Sequence, residues 1–130
     1  MIRTLKGLNC IHIMLKKTSH KLISTFYIIA GLNHFINPEF YTSLIPKYFV
    51  YIALINVLSG IVEILLGVGL QIKRFQKFSA YLIIAMLIAF IPSHVYFIQI
   101  GHCVENGLCT SEIIAWLRLI LVHPILILWA

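Results

Sequence analysis

The sequence predicts an all-α membrane protein, built as an antiparallel bundle of four transmembrane helices. The chain is 61% hydrophobic and 11% charged, with a mean hydropathy of +0.98, whereas soluble domains average about 25% charged residues. Four apolar segments follow one another with short connections, which favours antiparallel neighbours. Eight of the ten Lys and Arg residues lie in the N-terminal segment and in one loop. That distribution is typical of cytoplasmic loops and not of nucleic-acid binding.

The segment at residues 50–70 is the centre of the predicted bundle, because it matches the roughly 20 residues of one span and carries an acid, Glu63. A carboxylate at that depth is costly unless it is neutral, paired or hydrated. Small residues let another helix approach closely. The side of this helix that holds Glu63 also carries small and polar residues: Asn56, Ser59, Gly60 and Gly67. We therefore expect a polar site at a helix interface.

The N-terminal segment, residues 1–21, is predicted to be separate from the transmembrane domain at 22–130. It carries five Lys and Arg residues, and Leu and Ile recur in it at steps of three and four. Such a pattern is typical of an amphipathic helix on the inner leaflet. Translation from Met14 is an alternative, since Met-Leu-Lys-Lys directly before a span is a usual start.

The first span is predicted at residues 22–36, and a short helix along the membrane surface at 37–49. Pro38 and Pro46 interrupt helical structure on either side of that segment. Its aromatic residues are suited to the membrane–water interface, where such rings collect. We expect this interfacial helix to connect spans one and two.

The third and fourth spans are predicted at residues 78–100 and 112–130. Pro92 is expected to kink the third. The loop before it holds Lys73, Arg74 and Lys77, whereas the loop at 101–111 has no Lys or Arg. The basic loop is therefore expected in the cytoplasm, together with both termini.

Polar residues on all four spans are expected to line one outward-facing pocket. From a rise of 1.5 Å per residue, Asn56, His94 and Arg118 lie roughly 9 Å below the outer surface, His123 roughly 16 Å and Glu63 roughly 20 Å. By depth, His123 is the best partner for Glu63, with Arg118 as the alternative. The predicted pocket residues are Glu63, Arg118, His94, His123, His34, Asn56 and Ser59.

Each of these residues also has a purely structural interpretation. Glu63 would then only fix the bundle through a buried pair, and Arg118 would extend outward to the interface. His94 and His123 would satisfy backbone groups freed by the neighbouring prolines. Asn56 and Ser59 would hold helices together.

Cys103 and Cys109 lie in the predicted outer loop, where an oxidising compartment favours a disulfide. An exchangeable, catalytic disulfide is an alternative. No CxxC pair or zinc pattern is present, so no metal site is predicted. Haem is disfavoured because the histidines are staggered in depth.

Several ordered segments resemble a known family: AGLNHFINPEFY, LSGIVEILLGVGL, RFQKFSAYLIIAML, PSHVYF and WLRLILVHPILILW. They resemble the DoxX-like family of small four-helix bacterial membrane proteins, relatives of the DoxD subunit of thiosulfate:quinone oxidoreductase. The resemblance covers nearly everything from Leu22 onward. It implies a bacterial plasma-membrane location.

The family motifs map onto particular positions of this chain. They fall on His34, Phe35 and Pro38; on Ser59, Gly60 and Glu63; on Pro92 and His94; and on Trp116 and Arg118. Relatives often have Asn where this chain has His94. The segments Pro92-Ser93-His94 and His123-Pro124 depart from the common pattern.

Two functions of different class follow. The first is an accessory or quinone-linked subunit of a membrane redox system, working with a soluble oxidoreductase subunit. The alternative is a non-enzymatic component, either a small-solute binder or an assembly factor for membrane proteins. Both are compatible with a homo-oligomer in the lipid bilayer. A thiol–disulfide exchanger using Cys103 and Cys109 is a third hypothesis.

Overall fold

The computed structural model describes residues 2–104 and 109–129, with side chains from residue 17 onward, and helices dominate this part. The elements are α1 (Ile2–Ile36), α2 (Pro38–Thr42), α3 (Ile52–Gln71), α4 (Gln76–Gln99), α5 (Glu112–Leu117), a π-helical turn (Arg118–Val122) and α6 (His123–Trp129). In these ranges β-pairing is limited to an isolated antiparallel bridge between Cys103 and Cys109. The predicted all-α class is confirmed.

Three helices within the described ranges are long and apolar enough to cross a membrane. They are α3, α4 and the continuous run from Glu112 to Trp129. Large apolar side chains such as Leu65 and Leu128 point outward, at 63% and 87% exposed. An exposed apolar surface of this extent is suited to lipid, so the chain is a membrane protein.

Helix α1 joins the two N-terminal segments that the sequence predicts to be separate. It runs from Ile2 to Ile36 with no break between Lys21 and Leu22. The predicted amphipathic face up to residue 16 lies outside the described side chains. After Lys21 the apolar stretch is shorter than the roughly 20 residues of a span and includes Asn33 and His34. Helix α1 is accordingly not one of the three span-like helices.

Helices α1 and α3 pack antiparallel with their backbones in contact. A Cβ atom on Gly60 would lie 2.8 Å from the Cβ of His34 and 3.0 Å from the backbone oxygen of Gly31. A Cβ on Gly67 would lie 3.0 Å from the backbone oxygen of Ser24. Ser24 Oγ donates a hydrogen bond of 2.6 Å to the backbone oxygen of Gly67. Small residues therefore bring these helices closer than larger side chains would allow.

An apolar core fills the end of the helix bundle that lies next to the α3–α4 turn. Its buried members come from α1, α3 and α4, and side chains of α6 pack against them. They are Ile23, Tyr27, Leu66, Leu70, Ile83, Met86 and Leu87, with Ala80, Phe90, Leu126 and Ile127 around them. The cavity described below lies toward the other end of the bundle.

The π-helical turn directly precedes Pro124. Proline has no N–H to donate to the carbonyl of Ile120, and its ring would press on that carbonyl in a regular α-helix. A π turn widens the backbone at this place, and such turns are frequent at functional sites. The turn places Arg118 at its start and His123 directly after its end.

Candidate functional site

A cavity of about 560 Å³ lies between α1, α2, α3, α4 and the Glu112–Trp129 helix. This volume is within the range of roughly 300–1,000 Å³ that is usual for small-molecule sites. Aromatic side chains form much of the wall, among them Phe26, Phe40, Phe90 and Phe97. The polar lining comprises Tyr27, His34, Tyr41, Ser59, Glu63, Ser93, His94, Arg118 and His123.

Six of the seven predicted pocket residues line this cavity: Glu63, Arg118, His94, His123, His34 and Ser59. Asn56 is not in the lining, because it lies behind His34 and is hydrogen-bonded to it. The structure thus brings the predicted residues together around one space.

His34 and Asn56 form two hydrogen bonds across the α1–α3 interface. Asn56 Nδ2 donates to the backbone oxygen of His34 at 3.1 Å. Asn56 Oδ1 lies 2.7 Å from His34 Nδ1. Both residues are buried. Together these bonds fix the orientation of the imidazole ring.

Glu63 faces the other nitrogen of the same ring. Its Oε1 lies 3.7 Å from His34 Nε2, and the two side chains are 7% and 6% exposed. Glu63 Oε2 is buried and has no hydrogen-bond partner among the described residues, and the same is true of the Tyr27 hydroxyl. Buried polar atoms of this kind are uncommon, and water, a ligand or a proton is the usual partner.

The prediction that His123 is the best partner of Glu63 by depth is wrong, because Glu63 meets His34. Gly31 faces Gly60, so in this antiparallel pair the backbone of Glu63 lies opposite Ile28 and not opposite His34. Side chains lean toward the N-terminus of their own helix. In an antiparallel pair, His34 and Glu63 therefore lean toward each other along the axis. A depth calculated from backbone rise alone omits this.

His123 contacts α4 in two ways. Its Nε2 donates to the backbone oxygen of Leu87 at 2.6 Å. Its ring lies edge-on to the ring of His94, with centroids 4.9 Å apart. Leu87 lies in the turn that Pro92 loosens by leaving the Ile88 carbonyl without its usual donor. The carbonyl that His123 bonds is the neighbour of the Ile88 carbonyl that Pro92 frees, and it is neither that carbonyl nor the Ile120 carbonyl that Pro124 frees.

Arg118 enters the cavity from the start of the π-helical turn. Its guanidinium carbon lies 5.9 Å from the centroid of the Phe97 ring. A cation at this distance is attracted to the ring face. The side chain is only partly buried and lines the cavity, where its guanidinium can donate hydrogen bonds to a ligand.

Helix α2 contributes an aromatic side chain that sequence reasoning assigned to the membrane interface. The ring of Tyr41 stacks on His34 with centroids 3.6 Å apart. Its hydroxyl accepts a hydrogen bond of 3.0 Å from Asn33 Nδ2. Sequence reasoning also missed Tyr27, although its position seven residues before His34 places both on one face of α1. No sequence signal distinguishes Tyr41 from its aromatic neighbours.

Cys103 and Cys109 are joined by a disulfide in the loop between α4 and α5. Neither lines the cavity. Glu105, in the same loop, lies outside the described residues. In the part of the chain that the structure describes, no three His, Cys, Asp or Glu side chains come together as metal ligands would.

Residues 23–130 match the model of a family described as "Domain of unknown function (DUF8561)". No curated protein matches the chain significantly. No solved structure does so either.

Proposed function

The chain belongs to the DUF8561 family, and we propose that it is a membrane protein that binds a quinone in this cavity. The further proposal that it is DoxX-like rests on the resemblance of its sequence segments. The protein would serve as an accessory subunit of a membrane redox system. The observation that carries this proposal is one aromatic-walled cavity that holds a carboxyl group, three imidazoles and a guanidinium.

The lining is suited to the two parts of a quinone. Flat apolar rings are held well by aromatic walls such as Phe90 and Phe97. The two ring oxygens need donors when oxidised and acceptors when reduced. Arg118 supplies donors, and Glu63 supplies a group that accepts or releases a proton. Reduction of a quinone takes up protons, so a buried protonatable group beside the ring is useful to that chemistry.

The proposed arrangement is a four-helix antiparallel bundle in a bacterial plasma membrane. The fourth crossing would be the part of α1 from Leu22 onward, and α2 would lie along the outer interface. Two features at opposite ends of α4 support this. Exposed Lys73, Arg74 and Lys77 are near its start, as expected for the cytoplasm. The disulfide follows its end, as expected for an oxidising periplasm. Both termini would then be cytoplasmic.

Electrons must reach a bound quinone from a donor, so we propose a soluble oxidoreductase subunit as partner. The basic cytoplasmic surface around Lys73 and Arg74 offers a place for it to dock. A homo-oligomer within the membrane remains compatible with this arrangement.

The test is to release the protein gently from its own membranes and identify bound small molecules by native mass spectrometry. We expect a quinone in wild type and its loss in Glu63→Gln, together with an affinity for a short-chain benzoquinone that is weaker by about tenfold, or about 1.4 kcal/mol. Matched controls are Glu39→Gln and Glu112→Gln, which alter exposed acids outside the cavity lining. They should bind as wild type does.

A second candidate is a non-enzymatic binder of a small polar solute, favoured by the presence of both an acid and cations in one cavity. An assembly factor for membrane proteins is the other form of this alternative. Purified protein that carries only phospholipid, with Glu63→Gln indistinguishable from wild type in benzoquinone binding, would exclude the quinone proposal and favour these.

A further inference from the structure

We propose that Asn56 fixes His34 in one tautomer, so that His34 and Glu63 share a single proton beside the cavity. We call these two side chains the His34–Glu63 dyad. The inference about the dyad stands on geometry, and it rests on the proposed function only for the identity of the ligand that exchanges the proton.

The first step is the orientation of the Asn56 amide. Its nitrogen must point to the backbone oxygen of His34, at 3.1 Å, because a carbonyl accepts hydrogen bonds and never donates them. This leaves Oδ1 as the atom that faces His34 Nδ1, at 2.7 Å. The amide is thus oriented by a contact that does not depend on the state of the imidazole ring.

The second step is the tautomer of His34. An amide oxygen is an acceptor, so Nδ1 carries the hydrogen of this bond. In the neutral ring, Nε2 then has no hydrogen and presents a lone pair. That lone pair faces Glu63 Oε1, 3.7 Å away. Fixing one nitrogen of a histidine in order to set the role of the other is a general device of such sites.

The third step is the number of protons. With none, a buried carboxylate would face a lone pair, and with two, a buried imidazolium would lack a counter-charge. Both are costly where the two side chains are 6% and 7% exposed. One proton makes the dyad neutral overall, either as carboxylic acid with imidazole or as carboxylate with imidazolium.

Other ionisable groups surround the dyad and belong to the same electrostatic environment. Tyr41 of α2 stacks on the His34 ring. The others line the cavity from α1, α4, the π-helical turn and α6: Tyr27, His94, Arg118 and His123. None of them occupies His34 Nδ1, which is taken by Asn56.

The consequence is a proton acceptor of defined capacity at the ligand site. When a quinol hydroxyl gives up its proton, the O–H bond breaks and the electron pair stays on the oxygen. The dyad goes from one proton to two, and the negative quinol oxygen is then the counter-charge of the imidazolium. The reverse transfer returns the proton to the oxygen. Asn56 is a positioning residue in this scheme, since it acts through His34.

The first experiment needs no substitution in the protein that is tested. Nitrogen NMR of ¹⁵N-histidine-labelled protein in lipid distinguishes protonated from unprotonated ring nitrogens, and the His34 signals are assigned by their loss in His34→Gln. We expect a protonated Nδ1. A neutral His34 with its hydrogen on Nε2 would overturn the proposal.

Infrared spectra, with the Glu63 bands assigned through Glu63→Gln, then count the protons on the dyad. Carboxylate beside neutral imidazole, or carboxylic acid beside imidazolium, would also overturn the proposal.

The second experiment tests Asn56 itself. Asn56→Asp loses the donor to the His34 carbonyl but keeps an acceptor at Nδ1, so it should keep the hydrogen on Nδ1, whereas Asn56→Leu should lose it. Asn37→Leu is the matched control, because Asn37 is exposed and bonds the side chain of Asn33 and not the ring of His34. It should leave the His34 signals unchanged. If Asn56→Asp changes them as Asn56→Leu does, Asn56 acts through packing and not as an acceptor, and its positioning role is refuted.

Binding of a short-chain benzoquinol separates this inference from the proposed function. We expect Asn56→Leu to bind about tenfold more weakly than Asn56→Asp, the effect of one hydrogen bond to a charged group. A dyad with one proton in a protein that binds no quinol would support the inference and refute the quinone site. A bound quinol beside a His34 that carries its hydrogen only on Nε2 would do the opposite.

Discussion

The two halves of the molecule are built differently around the cavity. Helices α1 and α3 touch through Gly31 and Gly60 and are joined by side-chain hydrogen bonds at both ends of their contact, Ser24 to Gly67 and Asn56 to His34. Helix α4 and the Glu112–Trp129 helix contain prolines and a π-helical turn, and their contact includes a hydrogen bond from His123 to Leu87 and the ring contact of His123 with His94. A disulfide closes the loop that connects these two helices. The acid that defines the site lies on the close-packed half, and the guanidinium lies on the other.

The difference indicates a division of labour. Close backbone contact leaves little freedom, so the α1–α3 half is suited to holding the His34–Glu63 dyad in fixed geometry. Prolines leave carbonyls without their usual donors, so the other half is suited to adjusting to a ligand. The following substitutions test whether stability is distributed in this way.

Gly60→Val is expected to have the largest effect. Even a Cβ atom at this position would lie 2.8 Å from His34 Cβ and 3.0 Å from the Gly31 backbone oxygen, and a backbone atom cannot move aside easily. We expect a loss of about 3 kcal/mol or more. Thermal unfolding in detergent micelles measures it. Ala85→Val, at an exposed position of α4, should cost less than about 0.5 kcal/mol. Similar losses in both variants would contradict the proposed difference between the halves.

Replacing both Cys103 and Cys109 by Ser should have the next largest effect. The disulfide closes a short loop with a sequence separation of 6, for which loop entropy gives roughly 2 kcal/mol. We expect lower thermal stability of the α4 half with benzoquinone binding unchanged, because neither cysteine lines the cavity. The single Ser variants should lose as much stability as the double one. Loss of binding in a double variant that is still folded would instead favour the thiol–disulfide hypothesis.

Much of this architecture can be predicted from the sequence, because apolar segment length and charge distribution are strong signals in membrane proteins. The segment at 50–70 is α3 at Ile52–Gln71, and that at 78–100 is α4 at Gln76–Gln99. The sequence does not predict that residues 1–21 and the first span form one continuous helix. Basic residues occur inside helices as well as at helix ends, so they do not mark a boundary. The π-helical turn has only Pro124 as its signal.

The sequence predicts most of the polar residues that line the cavity, but it does not predict which of them contact each other. Intramembrane polar residues are few, and naming them finds six of the nine polar residues that line the cavity. Which of these side chains contact each other depends on the direction in which each side chain leans and on the rotation of each helix about its axis. For this reason His34, and not His123, faces Glu63. Tyr41 was missed because its contact with His34 depends on how α2 folds back over α1.

His123→Leu tests the link between α4 and the last helix. The substitution removes the His123 hydrogen bond to the Leu87 carbonyl, and one hydrogen bond contributes about 0.5–1.5 kcal/mol. We expect a loss of about 1 kcal/mol in thermal unfolding, because the Leu87 carbonyl keeps its helical hydrogen bond within α4 and only the second bond is lost. His123→Gln, which retains an N–H donor, should recover part of the loss. If His123→Gln is as unstable as His123→Leu, the bond to Leu87 does not stabilise this half.

Ser24→Ala is expected to have the smallest effect, although it removes two hydrogen bonds of the close-packed α1–α3 half. Ser24 Oγ donates to the Gly67 backbone oxygen at 2.6 Å and accepts from Gln71 Nε2 at 2.8 Å. Hydrogen bonds between membrane helices are worth about 0.6 kcal/mol on average, because other partners replace the lost one. The Gly67 carbonyl also keeps its place in α3, so the loss should stay near that average. Thr25→Ala, at the neighbouring exposed position, is the matched control for thermal unfolding. A loss in Ser24→Ala as large as that in Gly60→Val would mean that hydrogen bonds, and not backbone contact, hold α1 against α3.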